Sequence, residues 1–363
     1  MDVPPLADRL VAGCSFLATS TLGAVGYALV LATLWRYRAK FHQKSNFYLL
    51  VWTLAAGDCT MLLAQFILAV PLSLTGRPLY GQGAALTVLA HIDYVGFRIC
   101  VFSSFTIGLN RFLCFVRPRW HAALFSDNRI LVWPCAMMVA TVFWLVNDLL
   151  IGWRSTFHHD YFYFDSVRVN ASRAHQRFLE SSGLLAVEII RSKILELFPL
   201  CNFFFYVSTY AFIRTRLQTK TRPAGAGVDA GRNSQLERKF LLQGLLINVA
   251  TMLEAATFKN SGRVYGFGCE RLGNCILGSL FISNIVILNS SINPVIFLAF
   301  NGALRRHAKE LVGLVKKESV VAVNTSNRLS NPSIRTARTT GNSAREPSSR
   351  RVYAVSGINH HPA

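Results

Sequence analysis

Charged side chains lie inside several long apolar stretches of this chain, where charge is costly to bury. They are Asp58, Asp93, Arg98, Asp148, Glu196 and Glu254. Ionisable groups at membrane depth usually face a cavity or a partner, so each is a candidate for ligand binding or for a conformational switch. The alternative for each residue is an ion pair that only holds neighbouring helices in register.

Uncharged polar residues interrupt the last apolar stretch, at "LNSSINPVIF" from residue 288 onward. Pro294 removes a backbone donor and frees carbonyls that nearby serines or water can satisfy. Asn289 and Asn293 are predicted to face Asp58 across a helix bundle, with Ser290 in the same cluster. We predict that these polar residues contact one another and that the contacts exchange when the protein changes conformation.

The elements that must position these residues are seven apolar runs. Of the 363 residues, 52% are hydrophobic and 15% charged, which is too apolar for an ordinary soluble protein. Each run has about the 20 residues that a helix needs to cross a hydrocarbon core of roughly 30 Å. We therefore predict an all-α membrane protein, a seven-transmembrane helix bundle. The runs cover residues 14–35, 47–71, 84–115, 130–151, 194–213, 240–258 and 275–300.

The chain is predicted to have four parts. A short extracellular N-terminus (1–12) precedes the seven-helix domain (13–300), and a basic tail rich in Ser and Thr (318–363) is expected to be disordered. Between them, residues 301–317 alternate apolar and basic positions at helical spacing. This pattern predicts a short amphipathic eighth helix lying along the lipids of the negatively charged inner leaflet.

The distribution of charge predicts the orientation in the membrane. The net charge is +20, and basic residues follow spans one, three and five and fill the tail. This asymmetry is typical of the cytoplasmic side of membrane proteins, so we expect an outer N-terminus and an inner C-terminus, and no nucleic-acid partner. The glycosylation sequence at Asn170 lies in a predicted outer loop, in agreement with this topology.

Three connecting segments have compositions that predict specific roles. The outer loop 152–192 mixes aromatic and charged residues and is expected to form a lid over the bundle, and the inner stretch 219–235 is expected to be a mobile linker. Cys269 and Cys275 flank the last outer loop, where either a small disulfide or two free thiols fit the sequence.

The end of span three, "GLNRFLCFVRP", resembles the third helix of rhodopsin-like G-protein-coupled receptors. In that family an acid, an arginine and an aromatic residue precede a proline, and Arg111, Phe112 and Pro118 match in type and spacing. Asn110 replaces the acid that restrains the arginine in the family's resting state. This replacement implies higher basal activity. "LAAGD", ending at Asp58, and "NSSINPVIF", with Phe297 in place of the family's tyrosine, are similar to the family's second-helix and seventh-helix motifs.

The departures from the family pattern indicate which branch of the family the sequence resembles most. Span one has no asparagine after its glycines, span six has no Cys-Trp-x-Pro element, and no cysteine stands at the outer start of span three. This combination most resembles the divergent serpentine chemoreceptors of nematodes. A peptide or amine receptor from another invertebrate is the alternative.

The resemblance implies a receptor rather than an enzyme, placed in the plasma membrane. An external ligand would shift a two-state bundle that activates a heterotrimeric G protein through Asn110, Arg111 and Pro118, and arrestin and a receptor kinase would act at the tail. In the family the switch cluster can hold a sodium ion, although Cys100 stands where a hydroxyl is usual. The predicted switch residues are Asp58, Cys100, Asn289, Ser290, Asn293, Pro294 and Phe297.

The nature of the ligand stays open at this point. Asp93 lies 18 residues before Arg111, the spacing at which amine receptors in the family place the aspartate that pairs with the ligand. Basic residues at the outer ends of spans three and five suit an acidic small molecule or a peptide carboxylate equally well. Arg98 would alternatively be neutralised by an acid of span five or six. The candidate ligand-binding residues are Asp93, Arg98, Arg191, Glu196 and Glu254.

A seven-helix channel or transporter is the competing function class. It would require charged residues along the full depth of the bundle. The intramembrane charges instead stop at Asp58, and the inner halves of most spans are apolar. This distribution favours a receptor.

Overall fold

The computed structural model describes residues 4–39, 47–77, 79–81, 84–126, 129–158, 162–168, 184–220, 229–271 and 275–314. The chain divides into two units, Met1–Lys317 and Glu318–Ala363. The predicted disordered tail and Asn170 lie outside the described residues.

Seven long helices form the described part of the first unit, as the apolar runs predict. Six of them are long and apolar enough to cross a membrane, and the helix from Leu184 to Lys220 supplies the fifth span. The spans in chain order are α1 (Leu6–Arg36), α2 (Phe47–Ala64) with a π-helix (Gln65–Ala69) and α3 (Val70–Thr75), α4 (Ala84–Val116), α6 (Val132–Ile151), α7 (Leu184–Lys220), α8 (Asp229–Lys259) and α10 (Cys275–Phe300).

Shorter elements connect the spans. Helix α5 (Pro118–Leu124) lies in the second inner loop, α9 (Ser261–Arg271) follows span six, and α11 (Gly302–Leu311) follows span seven. The strands β1 (Trp153–His158) and β2 (Tyr163–Arg168) form an antiparallel hairpin after span four. Helix α7 ends at Lys220 and helix α8 begins at Asp229, so the prediction of a linker over 219–235 is wrong for residues 219–220 and 229–235, and residues 221–228 are not described.

Small residues let the spans approach closely, which is the usual basis of helix packing in membranes. A Cβ on Gly26 of span one would lie 2.9 Å from Pro294 Cγ of span seven, and one on Gly23 would lie 2.5 Å from Ser291 Oγ. Ser291 also donates a hydrogen bond of 2.9 Å to the carbonyl of Thr19. Spans one and seven are therefore in direct backbone-to-side-chain contact.

Span two changes its winding in its outer third. Five residues, Gln65 to Ala69, form a π-helix, and Pro71 follows two residues after its end. Proline has no N–H to donate to the carbonyl four residues earlier, which here is that of Ile67. The hydroxyl of Tyr80 donates to this carbonyl instead, at 2.6 Å. The irregular segment is thus stabilised by a residue from the first outer loop.

The hairpin lies against the outer end of the bundle, where the sequence predicts a lid. Phe157 of β1 and Phe162 of the turn are buried, and Ser283 of span seven donates a hydrogen bond of 2.7 Å to the carbonyl of Phe162. These contacts cover apolar side chains that the outer ends of the helices would otherwise expose. The remainder of the lid, residues 169–183, lies outside the described part of the chain.

The eighth helix is shorter than the predicted 301–317. Asn301 caps it, since its side-chain oxygen accepts a hydrogen bond of 3.1 Å from the N–H of Leu304. Leu304 and His307 are buried, and the ring of Tyr37, just after span one, stacks on His307 with centroids 4.2 Å apart. The contacts hold α11 against the inner end of span one. The basic residues Arg305, Arg306 and Lys309 are exposed.

Candidate functional site

Asp58 is fully buried and is contacted from three other spans. Asn293 of span seven donates a hydrogen bond of 2.8 Å to Asp58 Oδ2, and the hydroxyl of Tyr27 of span one donates to the same oxygen. Cys100 of span three lies with its Sγ 3.1 Å from Oδ1. The sequence placed Asp58, Asn293 and Cys100 in one cluster, and the structure brings these three together.

Tyr27 is a member of this cluster that the sequence reasoning missed. Its ring is 1% exposed although it lies in a long apolar run. A buried tyrosine hydroxyl needs a hydrogen-bond partner, so a tyrosine in the middle of an apolar span directly after a glycine is a signal for an internal polar contact. In this chain Tyr27 contacts Asp58 on the side that faces span one.

Asn289 contacts a different acid from the one expected. Its side-chain amide donates to Glu254 of span six, whereas the sequence placed it against Asp58. Asn289 lies one helical turn nearer the outer side than Asn293, so it meets span six at a different depth from Asp58. Ser290 lies between these levels and donates to Met61 Sδ at 3.4 Å. The polar contacts of span seven therefore extend over more than one turn.

Asp93 of span three pairs with Gln65 of span two. The amide of Gln65 donates a hydrogen bond of 3.0 Å to Asp93 Oδ1, and both side chains are buried. Gln65 begins the π-helix, whose altered winding directs this side chain toward span three. The partner of Asp93 is therefore a neutral amide, which sequence spacing did not identify.

A small cavity lies beside this pair, under the hairpin. Its volume is about 10 Å³, roughly the space of one water molecule, between spans two, six and seven and strand β2. Ligand pockets in proteins are usually about 300–1,000 Å³, so a ligand could enter here only if the hairpin or the outer ends of the spans moved apart. Its lining residues are Gln65, Phe164, Phe258, Ile282, Ser283 and Val286.

Arg98 forms a buried ion pair with Asp148 of span four. Its guanidinium also lies over the ring of Tyr94, 4.2 Å from the ring centroid. One turn deeper, Phe102 stacks on Trp144 with centroids 5.0 Å apart, which fixes spans three and four side by side. The sequence had offered Glu196 or Glu254 as the partner and had not considered Asp148. The described partner of Glu254 is Asn289, and the side chains of Glu196 and Arg191 lie outside the described residues.

At the inner end of span three, Asn110 contacts the second inner loop. Its Nδ2 lies 3.2 Å from Nε2 of His121 in helix α5, which begins at Pro118. His121 stacks on Phe125, and Phe125 stacks on Trp133 of span four with centroids 5.1 Å apart. The residue that replaces the family's acid therefore links span three to the loop beside the expected G-protein surface.

Arg111 lies next to span five. It interacts electrostatically with the hydroxyl of Tyr206, whose ring packs against Gly244 of span six. One turn away, Asn202 of span five donates a hydrogen bond of 2.8 Å to Asn248 of span six. The two contacts join spans five and six where the arginine reaches the inner face.

Acidification is expected to loosen the contact between Asn110 and His121. Burial lowers the pKa of His121 below its ordinary value of 6.5, and the charge of Arg111 lowers it further. The structure thus favours the neutral ring, and opening of the loop favours the protonated one, so the contact weakens as pH falls below about 6.5. Hydrogen exchange of residues 118–126, corrected for intrinsic rates, should rise between pH 7.5 and pH 5.5.

His121→Gln supplies the control for this expectation. Glutamine retains an acceptor for Asn110 but does not titrate in this range. Its corrected exchange should not change with pH. If the variant shows the same pH dependence as the wild type, another group controls the loop.

Phe297 and the two outer cysteines complete the predicted site residues. Phe297 is 2% exposed and packs in the apolar core of the inner half, so that end of span seven is held by packing rather than by a hydroxyl. Cys269 is disulfide-bonded, and the side chain of its predicted partner Cys275 is not described. Six other cysteines have free thiols.

The surroundings of Asp58 do not suit a sodium ion, which the resemblance implies at this cluster. Hard cations prefer several oxygen ligands, whereas Asp58 faces an amide N–H from Asn293 and a soft sulfur from Cys100. The hydroxyls of Tyr27 and Ser290 already form hydrogen bonds with the carboxylate. Among the described residues no group of three or more His, Cys, Asp or Glu could hold a metal ion.

Comparison with known proteins identifies the family and the fold. The family model described as "Serpentine type 7TM GPCR chemoreceptor Srx" matches residues 17–260. The structure is similar to the crystal structure of squid rhodopsin, with a TM-score of 0.67, 14% sequence identity, and coverage of 86% of this chain and 88% of that chain. At this identity the likeness shows the fold alone. A comparison with curated proteins found no match. Since the family model covers most of the bundle, the chain belongs to the Srx family of serpentine seven-transmembrane G-protein-coupled chemoreceptors.

Proposed function

We propose that this receptor binds an external small molecule or peptide in the outer half of its bundle and thereby activates a heterotrimeric G protein. It would act in the plasma membrane, with its N-terminus outside and its C-terminus in the cytoplasm. The observation that carries the proposal is the series of buried polar contacts running inward from the outer cavity. These contacts are Gln65 to Asp93, Asn289 to Glu254, and Asn293 and Tyr27 to Asp58.

The space beside Gln65, enlarged by displacement of the hairpin, is the proposed ligand site. A ligand there would contact the amide that holds Asp93, together with the aromatic rings of Phe164 and Phe258. A ligand that donates hydrogen bonds or carries positive charge can replace Gln65 as the partner of Asp93. An acidic ligand that used Arg98 would first have to displace Asp148 from a buried ion pair, which costs more. The geometry therefore supports a hydrogen-bond donor over an acid.

The contacts of span seven offer a route from this site to the inner face. Asn289 and Asn293 lie on one helix with Pro294 after them, so a shift of span seven changes the partners of Glu254 and Asp58 together. A ligand shifts such an equilibrium only to the extent that it binds one arrangement more tightly than the other.

The proposed G-protein surface is formed by Asn110, Arg111 and Pro118. We also place arrestin and a receptor kinase at the tail, and anionic lipids along α11.

Signalling in cells tests the function. The receptor would be expressed with a promiscuous G-protein reporter and exposed to amine, acid and peptide libraries. Arg111→Ala should reduce ligand-evoked signal by about 5- to 150-fold, the range of typical allosteric coupling, at unchanged surface expression.

Asp93→Asn should weaken the response to ligands that donate hydrogen bonds or carry positive charge, because it removes the carboxylate charge that attracts them.

The controls separate receptor from channel. Val139→Ala changes a lipid-facing side chain that is 70% exposed, and it should leave both expression and signal unchanged. A ligand-evoked current that survives Arg111→Ala in cells lacking G proteins would refute the receptor mechanism and favour a channel.

A further inference from the structure

We infer that the hydroxyl of Tyr27 takes the place of a bound sodium ion at Asp58, so that the switch of this receptor is insensitive to sodium. The inference concerns how the proposed switch is regulated, but it rests on the packing around one carboxylate rather than on signalling. Its evidence is the set of atoms that face Asp58 and the way span one is held against span seven.

The first step is the chemistry of the carboxylate. Tyr27 and Asn293 both donate to Asp58 Oδ2, and the thiol of Cys100 faces Oδ1. Hydrogen bonds to an ionised acceptor are roughly twice as strong as those between neutral groups. With the hydroxyl of Ser290, four donors from three spans therefore stabilise Asp58 internally, which is the stabilisation a cation would otherwise supply.

The second step is that the polar groups around Asp58 are already engaged or are soft. Asn293 turns its amide nitrogen, not its oxygen, toward Asp58. The hydroxyl of Ser290 hydrogen-bonds to Asp58 and contacts the sulfur of Met61, and Cys100 contributes a second sulfur. Sodium is a hard cation, and hard cations select oxygen ligands over thiol and thioether groups.

The third step is the close packing around Asp58. Asp58, Tyr27, Cys100 and Asn293 are all 2% exposed or less. A Cβ on Gly57, the residue before Asp58, would lie 2.8 Å from Cys100 Sγ, which shows how tightly span three packs at this level. Protein interiors packed to this density have few voids larger than a water molecule.

The fourth step explains why Tyr27 reaches Asp58. Gly26 lies directly before it, and a Cβ there would lie 2.9 Å from Pro294 Cγ. The absence of a side chain lets span one approach span seven beside the proline. That approach brings the neighbouring phenol to the same oxygen that Asn293 contacts.

Thermal unfolding of purified receptor in detergent tests the inference. The midpoint Tm would be compared in sodium chloride and in choline chloride at equal ionic strength, for the wild type and for Tyr27→Phe. The wild type should show no saturable sodium effect. Tyr27→Phe keeps the ring but removes the hydroxyl, which leaves a hydroxyl-sized space beside the oxygens of Asp58 and Ser290. Sodium should therefore raise its Tm, by about 3 °C at tenfold excess over Kd. Adding Asp58→Asn to Tyr27→Phe should abolish that rise.

Three results would overturn the inference. The first is a saturable sodium effect on the wild type that Asp58→Asn removes. The second is a folded Tyr27→Phe receptor that does not respond to sodium. The third is a sodium response in Cys100→Ser, which would assign the exclusion of the ion to the thiol instead of the phenol.

The test stays decisive if one variant does not fold or the proposed function fails. The wild-type titration needs no substitution, and Cys100→Ser is a nearly isosteric change. Neither a ligand nor a G protein is present in the measurement. A receptor that gives no signal in cells would therefore leave the sodium result intact.

Discussion

Arg98→Met is expected to remove most of the folded receptor, because it leaves the carboxylate of Asp148 buried without its ion-pair partner. Both side chains are fully buried or nearly so. Removing one member of a buried pair typically costs about 3–5 kcal/mol, a large share of the stability of a typical protein. Surface expression should fall sharply, and the Tm of any purified receptor should be lower than that of the wild type.

The double variant Arg98→Met, Asp148→Leu should recover much of this loss. Replacing both members of a buried ion pair with apolar residues of similar volume is often neutral or stabilising. Arg36→Met is the matched control, since Arg36 is exposed at the inner end of span one and its substitution should change stability by less than about 0.5 kcal/mol. If the double variant is no more stable than Arg98→Met, the arginine stabilises the bundle through contacts other than the ion pair.

Gly96→Ala is expected to destabilise the contact between spans two and three by about 1–3 kcal/mol, the usual cost of overpacking. A Cβ at this position would lie 2.6 Å from Met61 Cγ, 2.8 Å from the carbonyl oxygen of Gly57 and 2.9 Å from the backbone nitrogen of Met61. Two of these three atoms belong to the backbone, so the clash cannot be relieved by a side-chain rotation. The spans must separate instead, and Tm should fall.

The same substitution at Gly302 provides the control. A Cβ there would meet nothing within 4 Å, and the residue lies in the first turn of α11. Alanine is the better helix former, so Gly302→Ala should be neutral or stabilising by up to about 1 kcal/mol. Equal Tm values for the two variants would show that spans two and three are not in tight contact at Gly96.

The seven-helix architecture could be predicted from the sequence because the membrane requires it. A chain that must satisfy its backbone inside hydrocarbon forms helices of about 20 residues, and such helices are visible as apolar runs. The motifs around Arg111 and Asn293 then identify which apolar runs are the third and seventh spans of the bundle. The comparison with the chemoreceptor family confirms both the fold and the narrower resemblance.

The pairing of the polar residues was harder to predict from the sequence than the helices were. Asp148 and Gln65 were visible in the sequence, but which acid meets which amide depends on helix rotation, and that depends on glycine contacts and on the π-helix. Asn289 illustrates the limit, since one helical turn separates its partner Glu254 from the predicted Asp58. Tyr27 lies in the apolar run 14–35, which has no charged residue to suggest an internal polar contact.

The hairpin was predicted only as a lid of unspecified structure. Strands β1 and β2 pair through backbone hydrogen bonds, which leave little trace in six-residue segments that mix aromatic and polar residues. Their position is set by Phe157 and Phe162, which are buried together with side chains of the outer bundle. The order of residues along the chain does not specify that docking.

The π-helix of span two has a consequence for the phase of that helix. One residue advances a regular helix by about 100°, so a segment wound by one extra residue rotates everything beyond it relative to the inner part. Pro71 and the outer turn therefore present faces that the periodicity of residues 47–64 does not forecast. Deleting a single residue between Gln65 and Ala69 would realign the two parts while leaving the inner half in register. At the π-helix, therefore, the length of span two can change by one residue, and this change would rotate only the outer part of that span.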